Sequence, residues 1–353
     1  DLLKIAILGC GRVAQHYKKI LTSQMVRGCQ VEAVCDLDED KAKRFASKFN
    51  AKVFTDVDNL VNSGSVDLVV ICSPSGLHYE HTKICLENRI HVLVEKPATM
   101  RWEDAIALES IAKAGSLSYG VAFQNRFNPA MIFAKAVLEE QLLGKLVSTS
   151  VRLRWCRQQE YYQDEWHGRW ASDGGVLNQQ AIHHLDALLW LVGPVRTAFA
   201  YSCNRLNKLE AEDTVVACLA MDDGSLAAFE ATTAARPNDL EASISIIGSE
   251  GFVEVGGIAL NRITNFVLAN GIPDTFAKML EHASNDVEDG YGFSHKEVIN
   301  RTVEAIIDGS NEPAISINDS IDTIKLVHAI YRSVEDNRPV KLSENVSSAK
   351  LGV

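Results

Sequence analysis

A short apolar run at residues 4–8, Lys-Ile-Ala-Ile-Leu, stops on Gly9-Cys10-Gly11-Arg12-Val13-Ala14 and passes directly into residues with helical spacing. A strand, a glycine turn and a helix in that order constrain the fold more than any other feature of the chain. Gly9 permits the tight turn, Gly11 lets backbone approach a neighbour closely, and Ala14 allows close packing of helix on sheet. The rhythm then persists. Strand-like runs at 31–35, 51–54, 66–72, 91–94 and 118–123 alternate with helical spacing at 13–21, 41–48, 78–87 and 102–114. Strands alternating with helices predict an α/β, doubly wound parallel sheet covered on both faces.

After Asn128-Pro129 the pattern changes. A helix over about 130–141 precedes longer strand candidates at 146–155, 196–204, 214–221, 225–233 and 242–247, with Asp222-Asp223-Gly224-Ser225 as a hairpin turn. One helix, 177–191, interrupts them and is closed by Gly193-Pro194; a closing helix and tail are expected from Tyr331 onward. Residues 260–290 carry no clear period. Consecutive strands predict a second α/β domain built on a large, open, mostly antiparallel sheet. The expected division is therefore 1–123 and 124–353, in keeping with a length of 353 residues.

Lys and Arg total 35 against 46 Asp and Glu, a net charge of −11, and no long basic run occurs, which argues against a nucleic-acid partner. The eight cysteines are scattered without a Cys-x-x-Cys pair or Cys/His ligand spacing, so neither a metal site nor a disulfide framework is expected. No secretory leader and no apolar stretch near 18 residues is evident, so the expectation is a cytoplasmic chain with no membrane partner.

Gly9-x-Gly11-x-x-Ala14 opens a helix straight after a strand, where backbone N–H groups can meet a pyrophosphate. Asp36 ends the next strand, 25 residues beyond Gly11, where a carboxylate can accept hydrogen bonds from an adenosine ribose and repel a 2′-phosphate. Together they predict NAD as the cofactor rather than NADP. Ser73-Pro74-Ser75-Gly76 and Glu95-Lys96-Pro97 follow later strands and belong on the same carboxyl edge of the sheet, where ligands bind. Next to oxidised nicotinamide, burial and like charge would lower the Lys96 pKa and suit it to hydrogen-bonding or deprotonating a substrate hydroxyl. The plain alternative is a solvated lysine paired with Glu95. His78 is either a capping or surface histidine or a cofactor contact.

In the second domain, Gly174-Gly175 leads into a helical pattern in which Gln179, His183 and Asp186 share one side, with Asp186 expected to orient His183 or to cap packing. Arg152, Arg154, Arg157 and Arg169, interleaved with Tyr161, Tyr162 and Trp166, form a local basic and aromatic stretch suited to an anionic or nucleotide-bearing substrate. A solvated edge strand is the alternative for that stretch.

Gly9-x-Gly11-x-x-Ala14, Ser73-Pro74-x-x-x-His78, Glu95-Lys96-Pro97 and Gly174-Gly175…His183-x-x-Asp186 run in the order found in the Gfo/Idh/MocA oxidoreductases, which the chain resembles over nearly its whole length. Within that family Arg101-Trp102-Glu103-Asp104, Gln124-Asn125-Arg126, Arg157 to Tyr162, Gly193-Pro194-Val195, Glu212-Asp213 and Val255-Gly256-Gly257 are most similar to UDP-N-acetyl-2-amino-2-deoxyglucuronate 3-dehydrogenases. The resemblance implies an N-terminal Rossmann domain and a C-terminal domain that binds substrate and forms a homodimer or homotetramer. It implies cofactor contacts from Gly9, Gly11, Arg12, Val13, Asp36, Ser73, Pro74, His78, Glu95, Lys96, Asn125 and Trp166. Substrate contacts are implied for Arg157, Tyr161, Tyr162, Gln179 and His183, with Lys96 and His183 at the reaction centre.

Many members of the family carry Asp where this chain has Gln179, and an amide cannot take a proton at neutral pH. Acid–base work is thereby left to His183 and Lys96. The expected reaction is oxidation of a sugar ring hydroxyl to a ketone, with C3 of the UDP-linked uronate as the leading substrate. A free polyol such as an inositol is the alternative substrate, and a non-catalytic NAD-binding sensor is the alternative from another class.

Overall fold

The structure, a computed structural model, describes residues 2–23 and 25–353. The chain divides into two compact units: one runs up to Gln124 and takes in His295–Asp322, the other comprises Asn125–Ser294 and Thr323–Val353. Each is described by itself.

The first unit holds β1 (Leu3–Leu8), α1 (Arg12–Thr22), β2 (Cys29–Cys35), α2 (Glu39–Ala46), β3 (Lys52–Phe54), α3 (Val57–Asn62), β4 (Leu68–Ile71), α4 (His78–Glu87), β5 (His91–Val94), α5 (Trp102–Gly115) and β6 (Tyr119–Val121). The strands pair in the order β3-β2-β1-β4-β5-β6, every pair parallel. Leu68 to Ile71 are wholly buried, as expected of a strand covered on both faces. Each such aliphatic side chain contributes roughly 1.5–3 kcal/mol. α1 buries Ala14, Tyr17 and Ile20, spaced by three along the helix and so on one face. The strand order reverses between β1 and β4, which makes the carboxyl ends of those strands the place for a ligand.

The second unit contains α6 (Pro129–Glu139), β7 (Leu146–Arg154), α7 (Val176–Gln179), α8 (Ile182–Leu191), β8 (Val195–Cys203), β9 (Thr214–Met221), β10 (Leu226–Thr232), β11 (Glu241–Gly248), β12 (Gly251–Gly256), β13 (Arg262–Leu268) and α9 (Asp274–Leu280). Further along the chain come α10 (His295–Asp308), which belongs to the first unit, α11 (Ile317–Asp336), which belongs to the second from Thr323 on, and the two-residue β14 (Val340–Lys341). Eight strands follow the order β13-β12-β11-β7-β10-β9-β8-β14. All neighbours are antiparallel except β7 with β10. The expected hairpin joins β9 to β10, with Gly224 at φ +88°. On β9, Val215, Ala217, Leu219 and Met221 point inward and alternate with Val216 and Cys218. The other face stays open: Tyr201 is 65%, Leu226 62% and Val216 51% exposed.

Several expectations are corrected. The single helix over 177–191 is two helices, because the Ala181 N–H reaches back five residues to the Val176 carbonyl (2.8 Å) and ends α7 before α8 starts. Tyr331 does not begin a closing helix but sits near the end of the 20-residue α11. The unreadable 260–290 stretch holds β13 and α9. α10 and the start of α11, which the expected division after residue 123 counts with the second domain, cluster with the first unit, where His295 faces Glu95.

Candidate active site

In the first unit, β1 delivers the chain into the glycine turn. Gly9 has φ +91°, and a Cβ there would lie 2.7 Å from the Ser73 nitrogen and 2.8 Å from the Cys72 carbonyl carbon, so only glycine fits between β1 and the chain leaving β4. Gly11, at φ −72°, is the opposite case: a Cβ would meet nothing within 4 Å. Its lack of a side chain leaves open space directly above the start of α1. That helix has no side-chain cap and no acid in its first turn, so its N-terminal N–H groups suit an anion.

Asp36 follows β2 and braces the same turn. One carboxylate oxygen accepts from the Cys10 N–H at 2.7 Å and the other from the Asp38 N–H at 2.9 Å. A carboxylate offers about four acceptor positions, so capacity remains for ribose hydroxyls. The open space over Gly11, the uncapped helix and the half-buried carboxylate together fit a dinucleotide; bound there, NAD supplies a hydride acceptor.

Glu95-Lys96-Pro97 leaves β5 on the same edge as Ser73 and Pro74. Glu95 is buried, and its carboxylate accepts from the Tyr17 hydroxyl (2.8 Å) and faces His295 Nε2 at 3.4 Å. Burial alone would raise its pKa. The His295 hydrogen bond and charge, the Tyr17 hydrogen bond and the Lys96 charge outweigh burial, so the carboxyl titrates below its ordinary value. Glu95 is thus engaged from α1 and α10, while Lys96 is half-buried beside it.

His78 is not a surface residue. It is 1% exposed, with Nδ1 2.6 Å from the Pro97 carbonyl and Nε2 2.9 Å from that of Ser73. It ties the turn after β4 to the turn after β5, and burial lowers its pKa. His81, unremarked in the sequence, stands one turn along α4 with Nδ1 2.9 Å from the Ser73 hydroxyl; burial takes its pKa down to about 4.

The second unit carries the other candidates. Asn125 is buried, and among the described residues its Oδ1 has no hydrogen-bond partner. Gln179 closes α7, whereas His183, half-buried, and Asp186 lie on α8; the three do not share one continuous helix. Asp186 is held by Arg126 in a bidentate pair (2.9 and 2.6 Å), and the Thr323 hydroxyl lies 3.4 Å away. The expected orienting carboxylate therefore anchors α8 to the Gln124–Phe127 turn.

The basic stretch is only partly a basic surface. Arg154 makes a bidentate pair with Glu230 (2.8 Å each) and reaches Glu241 at 3.2 Å, while Arg152 lies 3.7 Å from Glu241. Cross-strand carboxylates neutralise both. Arg157 differs: its guanidinium lies over the Trp155 and Tyr161 rings and 3.3 Å from Asp239. Tyr161 also accepts from the Gln180 amide at 3.3 Å and packs edge-on against Tyr162, tying the aromatic turn to the end of α7. The Tyr162 hydroxyl meets the Thr233 hydroxyl at 2.8 Å, and burial pushes its pKa up to about 12. Trp166 stacks, tilted, on His167.

Models of known families match both units. Residues 3–123 match the oxidoreductase family NAD-binding Rossmann fold, and residues 135–342 its C-terminal alpha/beta domain. The chain belongs to the Gfo/Idh/MocA oxidoreductase family. It is accordingly an NAD-dependent oxidoreductase of the family's sugar and polyol dehydrogenase class. Among solved structures it is similar to the WlbA dehydrogenase of Chromobacterium violaceum in complex with NADH and UDP-GlcNAcA. Identity is 30%, 96% of each chain is covered, and the TM-score is 0.89. The Bordetella pertussis WlbA dehydrogenase, in the same complex, is also 30% identical with a TM-score of 0.89, over 96% of this chain and 97% of that one. Myo-inositol 2-dehydrogenase of Thermotoga maritima is 23% identical over 97% of this chain and 99% of its own length. Other curated relatives, at 29% and 30% identity, align over only 62% and 58% of theirs.

No helix among the described residues is long and apolar enough to cross a membrane. Among them, too, no group of three or more His, Cys, Asp or Glu side chains is placed to hold a metal ion.

Proposed function

We propose that the protein oxidises a ring hydroxyl of a UDP-linked amino-sugar uronate, C3 of UDP-N-acetyl-2-amino-2-deoxyglucuronate, to a ketone with NAD as hydride acceptor. The observation that carries this reading is the likeness, at 30% identity over 96% of the chain, to two dehydrogenases whose structures hold NADH and UDP-GlcNAcA. The cationic and aromatic group of Arg157, Trp155 and Tyr161 supports it, because a guanidinium over aromatic rings suits a nucleotide or a diphosphate.

As hydride leaves the carbinol carbon, negative charge grows on its oxygen. His183 is assigned to accept the hydroxyl proton and Lys96 to stabilise the alkoxide. Gln179 is assigned to hydrogen-bond the sugar without titrating. The other site residues are proposed in the same spirit: residues 1–123 hold the cofactor through Gly9, Gly11, Arg12, Val13, Asp36, Ser73, Pro74 and Glu95. Residues 124–353 hold substrate, with Arg157, Tyr161 and Tyr162 on the nucleotide and Asn125 and Trp166 extending the cofactor contacts. The open face bearing Tyr201, Val216 and Leu226 is proposed as the subunit contact of a homodimer or homotetramer. We further infer a cytoplasmic enzyme of surface-polysaccharide biosynthesis.

The full-length match to an inositol dehydrogenase supports a second reading, a free polyol as substrate. A panel of UDP-sugars and free polyols, followed by absorbance of reduced nicotinamide, separates the two. Turnover of UDP-GlcNAcA with an Arg157→Ala variant raised in KM at least tenfold is expected. Turnover confined to polyols, with KM indifferent to that variant, would replace the first reading with the second.

A further inference from the structure

Behind the turn that starts α7 lies a carboxyl group that none of the proposed chemistry uses. Glu212, just before β9, is 3% exposed. Its backbone carbonyl accepts from the Val176 N–H at 3.1 Å. Its Oε1 accepts from the Leu177 N–H at 3.0 Å and from the Tyr331 hydroxyl, also at 3.0 Å, and that hydroxyl in turn accepts from the Gly175 N–H at 3.2 Å. One residue and its tyrosine partner thus satisfy three successive N–H groups, Gly175, Val176 and Leu177, at the start of the helix that ends in Gln179 and leads to His183. The fit is close: a Cβ on Gly175 would overlap the Glu212 carbonyl oxygen and Oε2. Among the described residues Oε2 has no hydrogen-bond partner.

We propose that Glu212 is a positioning residue whose gain or loss of a proton shifts the Gly174-Gly175 turn and α7, and through them Gln179 and His183, between a productive and a less productive pose. As a neutral acid, Glu212 uses Oε1 as a carbonyl acceptor for both donors and leaves only an uncharged hydroxyl without a partner in a dry site. As an anion it places a charge on Oε2, where no donor waits, and the turn must move to bring one. The titratable groups facing it are Tyr331, from α11, and Asp213, next in the chain. Tyr331 titrates well above its ordinary value, its hydroxyl remaining a neutral donor. Asp213, whose carboxylate accepts from the backbone N–H groups of Arg205, Leu206 and Asn207, adds a like charge. No Lys, Arg or His among the described residues forms an ion pair with Glu212. Burial, aided by Asp213 and opposed by the hydrogen bonds, carries its pKa from 4.5 up to about 7. The proton is therefore held about 300-fold more tightly than in an ordinary glutamic acid. Stability from this group is full below the unfolded pKa near 4.5 and is lost as pH rises through about 7.

The inference rests on the assignment of Gln179 and His183 to the substrate, so the test has an arm free of substrate. Thermal midpoints of the full-length protein, Glu212→Gln and Tyr331→Phe are measured from pH 5 to 9, then kcat and KM over the same range with whichever sugar the wild type turns over. The amide keeps an acceptor at Oε1 and cannot ionise. The wild-type midpoint should fall through pH 7 relative to Glu212→Gln, and the kcat step near pH 7 should vanish in that variant while KM for NAD stays constant. Removing the Tyr331 donor should move the step to higher pH, and this arm decides the matter if Glu212→Gln does not fold. Superimposable profiles for wild type and variants would overturn the proposal, as would a pH-dependent midpoint with no change in kcat. If no UDP-sugar reacts, the midpoint series still judges the Glu212 titration, and only the substrate reading fails.

Discussion

Gly9 and Gly11 stand two residues apart in the same turn, yet their substitution by alanine should fail in different ways. At Gly9 an alanine must adopt φ +91°, a conformation that costs an L-residue roughly 1–2 kcal/mol. Its Cβ must also enter space 2.7 Å from the Ser73 nitrogen and 2.8 Å from the Cys72 carbonyl, which are backbone atoms at the end of a buried strand and cannot swing away. Overpacking of that kind adds about 1–3 kcal/mol. The total of roughly 2–5 kcal/mol corresponds to a fall in thermal midpoint of about 5–15 °C for a unit of this size. At Gly11 a Cβ meets nothing within 4 Å and φ is −72°, so Gly11→Ala should melt with the wild type. That methyl does project where a pyrophosphate approaches the start of α1, so NADH affinity should drop about tenfold or more, equivalent to about 1.4 kcal/mol. The assay is differential scanning fluorimetry of both variants with and without NADH, plus titration of NADH fluorescence. A Gly9→Ala variant as stable as wild type, or a Gly11→Ala variant that binds NADH normally, would refute the reasoning at that glycine.

Lys96→Ala and His183→Ala should each reduce kcat by about 10²- to 10⁴-fold with little change in thermal midpoint, read by steady-state turnover beside a melting curve; near-normal turnover in both would remove them from the reaction. Asp36→Ala should narrow the preference for NAD over NADP, measured as the ratio of the two kcat/KM values. Part of its effect will fall on both cofactors, because the Cys10 N–H loses its acceptor. Glu95→Gln should destabilise the first unit by about 1.5–3 kcal/mol at neutral pH, since it removes the charge that the buried Tyr17 hydroxyl bonds to and that the His295 ring faces. The Glu95 pKa lies below its unfolded value, so this contribution exists above pH 4.5 and is lost as pH falls through the folded pKa. Wild type and variant should therefore converge in acid denaturation.

The first unit was legible because its information is local. Strand, turn and helix signals around Gly9 lie within a dozen residues, and so do those around Glu95-Lys96-Pro97. The β9–β10 hairpin was readable for the same reason, Asp222-Asp223-Gly224-Ser225 being a self-contained turn. What stayed hidden depends on contacts distant in sequence. Glu95 meets His295 across 200 positions, and Tyr331 meets Glu212 across 119; no spacing rule links such pairs. The break between α7 and α8 is not legible because Gln180 and Ala181 carry no helix-stopping residue type, and it arises from a hydrogen bond that reaches back five residues instead of four. Arg152 and Arg154 read as a basic patch because Glu230 and Glu241, their partners, enter from neighbouring strands.

Two buried glutamates show how partners, rather than burial, decide charge. Glu95 and Glu212 are both almost wholly enclosed, and burial pushes both toward the neutral form. Glu95 has the His295 ring, the Tyr17 hydroxyl and the Lys96 charge around it, and its pKa falls. Glu212 has a neutral tyrosine, backbone N–H groups and a like charge next door, too little to offset burial, and its pKa rises to about 7. Each lies beside a segment assigned to the reaction, Glu95 directly before Lys96 and Glu212 behind the turn leading to Gln179 and His183. The first is therefore a fixed anion across the neutral range and cannot shape the pH dependence of turnover there. The second changes charge within that range. With Gln179 unable to titrate, a pH step in kcat near 7 that arises from Glu212 must follow the Tyr331 hydroxyl, a group that need never touch the substrate.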